Sequence, residues 1–300
     1  MPRKILITGG SGLVGNALRR TAPEQCVYIS SADYDLRSFQ QTKEMFEHHK
    51  PTHVFHLAAC VGGLFKNMNN KVQMLEENLN INYNVVKCCH DFKITKLVAC
   101  LSTCIFPDKT EYPINETMLH DGPPHNSNDA YAYAKRMLHI HCKAYRENFG
   151  DNFVCVIPTN IYGPNDNYDL QNGHVIPSLI NQCYIAARTN TDFIVKGTGQ
   201  PLRQFLYADD LATILWRILD KYDGETIIIA PDEEVSIARI AELIAKQCGY
   251  ENRIRYDTNF SDGQYKKTAS NKLLVETFGP IDFTPLDEGI AKSVQWFAKN

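Results

Sequence analysis

Tyr131 and Lys135 offer the clearest acid-base chemistry in the sequence. They stand four residues apart in a segment that predicts a helix over 129–149, so they share one face of that helix. A free phenol has a pKa near ~10, and an ammonium held beside it lowers that pKa toward the working range. Because this spacing also occurs in many surface helices, the prediction of a proton-exchanging tyrosine depends on other motifs.

A glycine-rich loop follows the first apolar strand, which we predict over 4–8. Its glycines allow a tight turn and a close approach of the backbone to a pyrophosphate, which would lie at the N-terminus of the next helix. The strand-loop-helix order is the context that supports this interpretation. We therefore predict that a dinucleotide binds the loop residues Gly9, Gly10, Ser11, Gly12, Leu13, Val14 and Gly15.

The second predicted strand, over 27–30, ends in two serines. An acidic residue at that position would bond the ribose 2′-hydroxyl and repel a 2′-phosphate. Because Asp33 comes only slightly later, the pattern favours NADP over NAD. No arginine stands at the strand end to bind a 2′-phosphate, since Arg37 lies further along the chain. Asp35 is expected to face the adenine.

Ser102 follows a predicted strand over 96–101, at the sheet edge where open α/β folds bind their ligands. A serine there can donate a hydrogen bond to a substrate carbonyl oxygen. Cys104 points into the same cavity if the backbone stays extended, although it also suits the role of a buried structural thiol. In the helix predicted over 76–92, Asn80 is our choice to hold a water or Lys135, the alternative being helix surface and capping.

The order of elements predicts an α/β fold, a Rossmann doubly wound parallel sheet with a smaller C-terminal α/β substrate lobe. We expect residues 1–160 to form the dinucleotide-binding domain, to which segments 203–235 return. Residues 161–300 are expected to form the discontinuous lobe. Within it, the patterns predict helices over 176–188, 209–220, 236–247 and 285–297, and strands over 192–195, 203–206 and 225–230.

Composition limits the function classes. The net charge of −3, with no run of lysine or arginine, predicts no nucleic acid and no membrane as partner. Ten cysteines, several within apolar patterns, are typical of a reducing compartment. Because the first strand begins near Lys4, we expect no signal segment and a soluble, cytoplasmic protein. The histidine and cysteine spacings predict no metal site.

The ordered motifs resemble the extended short-chain dehydrogenase/reductase family. They are Thr8-Gly9-x-x-Gly12-x-x-Gly15, Leu57-Ala58-Ala59, Ser102 and Tyr131-x-x-x-Lys135. The resemblance implies an NADP(H) enzyme in which Tyr131 exchanges a proton and Lys135 holds the cofactor ribose. It also implies a homodimer formed through a four-helix bundle, with two helices contributed by each chain.

Later segments are similar to one branch of that family, which epimerises GDP-4-keto-6-deoxy-D-mannose at C3 and C5 and reduces it at C4. They are Val61-Gly62-Gly63, 102–107, 122–128, 157–160, 173–177, 203–205 and 261–267. The resemblance implies that Cys104 is the base and His174 the acid of epimerisation. A thiol and an imidazole both work near neutral pH with little tuning.

The same resemblance assigns the remaining contacts. It implies that the cofactor touches Lys135, Pro158, Thr159, Asn160, Ile161 and His174. Arg203 and Asp262 would bind the nucleotide sugar, with Arg203 on the diphosphate. Two positions depart from the family pattern: Gln182 stands where a basic residue is usual, and Lys196 where a tryptophan is. We expect Lys196 to supply the missing positive charge.

Three other functions fit the sequence less well. A 4,6-dehydratase would carry Asp-Glu shortly after the serine and threonine, where this chain has Cys104-Ile105. A 4-epimerase needs no cysteine-histidine pair and retains NAD. A redox-sensing binding module usually lacks the tyrosine or the lysine, and both are present here.

Overall fold

The computed structural model describes residues 3–300, except for the side chains of Leu64 and Phe65. The strands are β1 Ile5–Thr8, β2 Cys26–Ile29, β3 His53–His56, β4 Lys96–Cys100, β5 Phe153–Pro158, β6 Asn160–Tyr162, β7 Phe193–Lys196, β8 Leu202–Arg203, β9 Phe205–Tyr207, β10 Thr226–Ile229, β11 Val235–Ser236 and β12 Ile254–Asp257. The helices are α1 Leu13–Thr21, α2 Phe39–His49, α3 Leu64–Asn69, α4 Lys71–Asp91, α5 Asp129–Phe149, α6 Val175–Thr189, α7 Ala208–Lys221, α8 Ile237–Cys248, α9 Lys272–Phe278 and α10 Leu286–Lys299.

Six strands form a parallel sheet in the order β10-β5-β4-β3-β1-β2. Strands β1, β5 and β10 are buried along their whole length, as continuous apolar runs in a two-sided parallel sheet require. Helices α2, α4 and α5 pack on one face and α1 and α7 on the other. The predicted doubly wound α/β fold is confirmed.

A third hydrophobic cluster holds the later part of the chain together. It combines side chains of α6, α8 and α10, and the parallel pair β7 and β12 lies beside it. Strand β10 nevertheless belongs to the main sheet, where it pairs with β5. The chain therefore passes through the lobe before it completes the sheet. The exact division at residue 160 remains a prediction.

Several boundaries differ from the predictions. Helix α4 begins at Lys71, five residues before the predicted start. Lys71 explains the extension because its ammonium lies 2.8 Å from the Asp129 carboxylate and donates to the Asn126 carbonyl. The expected loop after β5 contains β6, which pairs with β9. Helix α9 and strands β11 and β12 were not predicted.

Within residues 3–300, no helix combines the length and the apolar character that crossing a membrane requires.

Lys96 joins the start of β4 to the end of α7. Its side chain is 4% exposed, and its ammonium donates to the carbonyls of Ile218 and Tyr222 at 2.8 and 2.6 Å and to the Asp223 carboxylate at 3.0 Å. A cation at this position satisfies carbonyls that the last helical turn leaves without partners. This contact fixes α7 against the sheet.

Replacing Lys96 with methionine is expected to lower the free energy of unfolding by about 2–3 kcal/mol, because buried carbonyls lose a charged donor. Urea unfolding followed by circular dichroism measures the change. Lys87→Met is the control, since the Lys87–Asp91 ion pair on α4 is partly exposed and contributes about 0.5 kcal/mol or less. Equal losses in the two variants would contradict the role of Lys96.

Candidate active site

Ser102 lies two residues after the end of β4 and begins a turn that positions Cys104. Ser102 is extended, but residues Thr103–Ile105 form a single 3₁₀ turn, in which the Cys104 N–H donates to the Ser102 hydroxyl at 3.4 Å. The expectation of extended backbone is wrong, because the serine side chain caps this turn. Cys104 is 7% exposed and still lies beside Ser102.

Helix α5 brings Tyr131 and Lys135 to the same region. The predicted bounds of this helix are confirmed, and both side chains lie on the face toward the sheet. The Lys135 ammonium lies 5.8 Å from the Tyr131 ring centroid and donates to the Cys100 carbonyl at 2.8 Å. Lys135 is 2% exposed. A cation is therefore buried at the carboxyl end of β4.

The expected lowering of the Tyr131 pKa by Lys135 is not observed. Burial of the phenol raises this pKa well above its usual value, and the nearby thiols of Cys104, Cys100 and Cys60 add to the effect. Burial likewise lowers the pKa of Lys135. The ammonium faces the backbone of β4, which explains why the desolvation of Tyr131 decides its pKa.

Lys267 is a neighbour of Cys104 that the sequence analysis missed. Burial raises the pKa of the Cys104 thiol, while the Lys267 ammonium, the Ser102 hydroxyl and Lys135 oppose that rise, with Lys267 the largest of the three. The pKa of Lys267 is lowered by its own burial. The motif 261–267 contained this lysine, but nothing in the sequence distinguished it from a surface lysine.

His174 occupies the N-cap position of α6, and its side chain makes no capping hydrogen bond there. The preceding loop contacts the segment after β3, where the Gly63 N–H donates to the Asn172 carbonyl at 3.0 Å. The Asp166 carboxylate lies 3.7 Å from His174 Nδ1 and raises the pKa of this imidazole. Among the described residues, no hydrogen bond or ion pair joins His174 to Cys104 or Tyr131.

The glycine-rich loop fits a pyrophosphate. Gly9 has a φ of +71°, and a Cβ there would lie 2.8 Å from the Ala58 nitrogen. A Cβ on Gly15 would lie 2.6 Å from the Gly9 carbonyl oxygen. Helix α1 has no side-chain cap at Gly12, so the N–H groups of its first turn remain available to an anion.

The segment after β2, where the adenosine of a dinucleotide is expected, contains internal hydrogen bonds and ion pairs. Asp33 accepts from the Ser30 N–H and hydroxyl at 2.8 and 2.7 Å. Asp35 pairs with Arg37, which also contacts Glu77 at 3.2 Å. Hydrogen bonds from Ser30 and from Arg37 lower the pKa values of Asp33 and Asp35, respectively. The predicted contact of Asp35 with adenine remains a prediction.

Two further features fit a bound dinucleotide. An ammonium has three donors, and the described residues give that of Lys135 one acceptor, the Cys100 carbonyl, which leaves two donors for ribose hydroxyls. The Thr159 hydroxyl, in the predicted segment Pro158, Thr159, Asn160 and Ile161, is buried without a partner among the described residues. Buried polar groups of this kind usually receive a partner from a ligand or water.

Asn82, rather than Asn80, lies beneath the site. Asn80 is exposed, so our choice among the asparagines is wrong. Asn82 Oδ1 lies 3.0 Å from His56 Nε2, and His56 Nδ1 lies 2.9 Å from the Thr8 hydroxyl. Burial, with a contribution from Lys135, lowers the pKa of His56 to about 3. This neutral histidine links β1, β3 and α4 below Lys135.

The predicted substrate residues lie in the lobe. Arg203 donates to the carbonyls of Leu202, Gln264 and Tyr265, and so holds the segment before Lys267. Asp262 accepts from the Thr198 N–H and hydroxyl at 2.7 and 2.6 Å, which fixes the turn at 197–199. Lys196 lies 5.0 Å from the centroid of the Phe260 ring, and Gln182 is half-buried on α6. Their contacts with a substrate remain predictions.

In the part of the chain that the structure describes, no three histidine, cysteine, aspartate or glutamate side chains are placed to hold a metal ion.

The parallel sheet, the glycine cradle and the Ser102-Tyr131-Lys135 set define a dinucleotide-dependent α/β oxidoreductase. The chain belongs to the NAD dependent epimerase/dehydratase family, whose model matches residues 5–230.

Named relatives narrow this class. The GDP-L-fucose synthase of Dictyostelium discoideum is 50% identical over 99% of this chain and 96% of that protein. A probable GDP-L-fucose synthase of Drosophila melanogaster is 46% identical, with 99% and 98% covered. Among solved structures, the fold is similar to the crystal structure of a GDP-L-fucose synthetase from Naegleria fowleri bound to NADP, with a TM-score of 0.94. The two sequences are 45% identical, and the match covers 99% of this chain and 93% of that chain. The resemblance inferred from the motifs is confirmed.

Replacing Lys267 with methionine is expected to raise the pKa of Cys104 further, because the thiolate loses the cation that opposes that rise most strongly. A smaller thiolate fraction slows alkylation, so the reaction of Cys104 with iodoacetamide at pH 8 should slow by about threefold or more. Peptide mass spectrometry measures that rate.

Lys266→Met is the matched control, because the Lys266 ammonium lies 3.4 Å from Glu234 rather than near the thiol. An alkylation rate in Lys267→Met equal to that of the control would exclude electrostatic support of Cys104 by Lys267.

Proposed function

We propose that the chain converts GDP-4-keto-6-deoxy-D-mannose to GDP-L-fucose with NADPH, by epimerisation at C3 and C5 followed by reduction at C4. The observation that carries this proposal is a thiol, that of Cys104, packed beside Ser102 and Tyr131 at the carboxyl end of β4. A simple ketoreductase has no use for a thiol base at this position. The names and high identity of the relatives support the same reaction.

NADP(H) is supported by the glycine cradle, the two available donors of Lys135 and the buried hydroxyl of Thr159. When bound, NADPH supplies the hydride for carbon C4 of the sugar. Lys135 and Thr159 would orient it, while the N-terminus of α1 would receive its pyrophosphate.

Epimerisation begins with loss of a proton from a carbon next to the ketone. The Cys104 thiolate takes the proton, the C–H electron pair forms the enolate, and the negative charge develops on the 4-oxygen. Ser102 and Tyr131 donate hydrogen bonds to that oxygen. His174 then returns a proton to carbon from the opposite face, which inverts the centre. Cys104 next loses its proton to solvent and His174 takes one up, so that the same exchange at the second carbon completes epimerisation.

Reduction uses the same oxygen contacts. As C4 receives the hydride, Tyr131 transfers its phenolic proton to the 4-oxygen, so the ketone becomes a hydroxyl. The raised pKa of Tyr131 keeps the phenol protonated and ready to donate. The Lys135 ammonium then stabilises the phenolate until solvent restores the proton.

The test is to incubate the protein with NADPH and GDP-4-keto-6-deoxy-D-mannose, following absorbance at 340 nm and the product by NMR. Cys104→Ser is expected to block inversion, and Tyr131→Phe to slow reduction by about 100-fold or more, the usual size of a general-acid contribution. The controls are Cys26→Ser, a partly buried thiol outside the site, and Tyr133→Phe, an exposed neighbour on α5.

If NADPH is consumed but the product keeps the D-manno configuration at C3 and C5, the protein is a 4-reductase only. The roles proposed for Cys104 and His174 would then be wrong. NADP binding without turnover would indicate a different nucleotide sugar or a binding module.

We infer that the working form is a homodimer built from α4 and α5 of each chain. Apolar side chains on the outer face of this helix pair are exposed, among them Tyr83, Tyr133, Met137, Ile140 and Phe149. Tyr133, Met137 and Ile140 follow i, i+4, i+7 spacing and form one stripe. Exposed apolar stripes of this kind favour association in a four-helix bundle.

Ile140→Glu is expected to convert the dimer to monomer, because it puts a charge into the apolar stripe; light scattering after gel filtration measures the mass. Ile194→Glu is the control, since Ile194 on β7 is similarly exposed but lies in the lobe. A monomeric wild-type protein, or an unchanged mass in Ile140→Glu, would contradict the interface.

A reducing, cytoplasmic location is also part of the proposal. All ten cysteines are free thiols, including the buried Cys104 and Cys183. Free thiols are typical of proteins in reducing compartments.

A further inference from the structure

Asp166 lies in the loop between β6 and α6 with its carboxylate buried. Its side chain is 5% exposed, and Oδ1 accepts from the Asn167 N–H at 2.7 Å. Oδ2 is buried without a hydrogen-bond partner among the described residues. A buried carboxylate oxygen of this kind is costly unless a donor or a cation compensates it.

His174 lies near the other oxygen of this carboxylate, Oδ1. Its Nδ1 lies 3.7 Å from Asp166 Oδ1, close enough for an ion pair and longer than a direct hydrogen bond. A small rotation of the ring, which is 51% exposed, would close the contact. With Nδ1 turned to the carboxylate, Nε2 is the nitrogen left to face a substrate.

The other polar groups that the structure describes near Asp166 and His174 are hydrogen-bonded elsewhere and do not pair with the His174 imidazole. Tyr168 lies next to the carboxylate, but its hydroxyl donates to the carbonyls of Gly163 and Ser293. Asp169 accepts from the N–H groups of Gln171 and Asn172, which orders the loop. Within the described chain, Asp166 is the only charged group that shifts the pKa of His174.

We propose that Asp166 is a positioning residue for His174: it holds the Nδ1–H side of the ring and so makes Nε2–H the proton donor in epimerisation. This inference rests on the proposed function. It assigns a task to a buried acid that the reaction otherwise leaves unexplained. The arrangement follows the logic of acid-histidine pairs in which a carboxylate fixes the tautomer and stabilises the imidazolium.

Loss of the Asp166–His174 pair should have an effect on hydrogen exchange that can be measured. If Cys104 takes a proton from carbon and no acid protonates the opposite face, the thiol S–H exchanges with solvent and then returns a solvent-derived proton to the face from which the first one left. The carbon then exchanges its hydrogen with solvent but keeps its configuration. Loss of Asp166 should therefore separate exchange from inversion.

The first arm of the test follows the imidazole Cε1–H signals of the intact protein by NMR as pH is varied, with His174→Gln used to assign His174. Asp166 raises the pKa of His174, so in Asp166→Asn that pKa should fall, while Asp166→Glu should restore it in part. Asp169→Asn, on the same loop, should leave it unchanged.

The second arm measures epimerised product and deuterium uptake in D₂O. Asp166→Asn is expected to slow inversion by about tenfold or more while Cys104-dependent exchange persists. The acid must be protonated, so activity falls as pH rises through the pKa of His174. The alkaline limb of the inversion rate should move to lower pH in the variant.

An unchanged pKa of His174 in Asp166→Asn would overturn the proposal. An equal change of this pKa in Asp169→Asn would also overturn it, because it would show that disorder of the loop causes the change. Equal losses of exchange and inversion would also overturn it. If the wild-type protein does not epimerise the substrate, the proposed function fails, while the titration arm still decides whether Asp166 controls His174.

Discussion

Burial of the Lys135 cation is the constraint on which the site depends. An ammonium is costly to remove from water unless it is paired. Here it lies under the carboxyl end of β4, held by one carbonyl, with the neutral His56 below it. The buried ammonium therefore needs polar neighbours at the sheet edge. The hydrogen-bonded side chains of Thr8, His56 and Asn82 provide them. A ligand with hydroxyl groups would accept the remaining hydrogen bonds of the Lys135 ammonium.

The environments of Tyr131, Cys104 and His174 suit the different acid and base roles that we propose for them. Tyr131 and Cys104 share a desolvated region, which favours their neutral forms. His174 lies beside the Asp166 carboxylate, which favours its charged form and outweighs the opposing effect of burial. The phenol and the imidazolium thus stand ready to donate, whereas the thiol needs nearby cations to become a base. Lys267 and Lys135, which come from distant segments of the chain, are the cations that oppose the rise of the Cys104 pKa.

The sequence indicated the parts of the site that lie within single local segments. The glycine loop, the strand before Ser102 and the whole of α5 were predictable because periodicity and spacing specify them directly. Lys267, Asn82 and Asp166 were missed because their importance arises only from tertiary contacts. Lys267 meets a thiol more than 160 residues earlier in the chain, and no periodic pattern encodes such a meeting. The turn at Cys104 was missed because a serine cap competes with extended backbone.

Strand β10 is synthesised long after the strand with which it pairs, and this order affects folding on the ribosome. Strand β5 lies between β4 and β10, yet β10 is made about 70 residues after β5. Until then the apolar run Phe153–Pro158 is an open sheet edge, and the face later covered by α7 is bare. Such edges invite pairing with other chains. On the ribosome, the nascent sheet would therefore need shielding until about three-quarters of the chain has emerged, and a fragment ending near residue 160 would not be a self-sufficient domain.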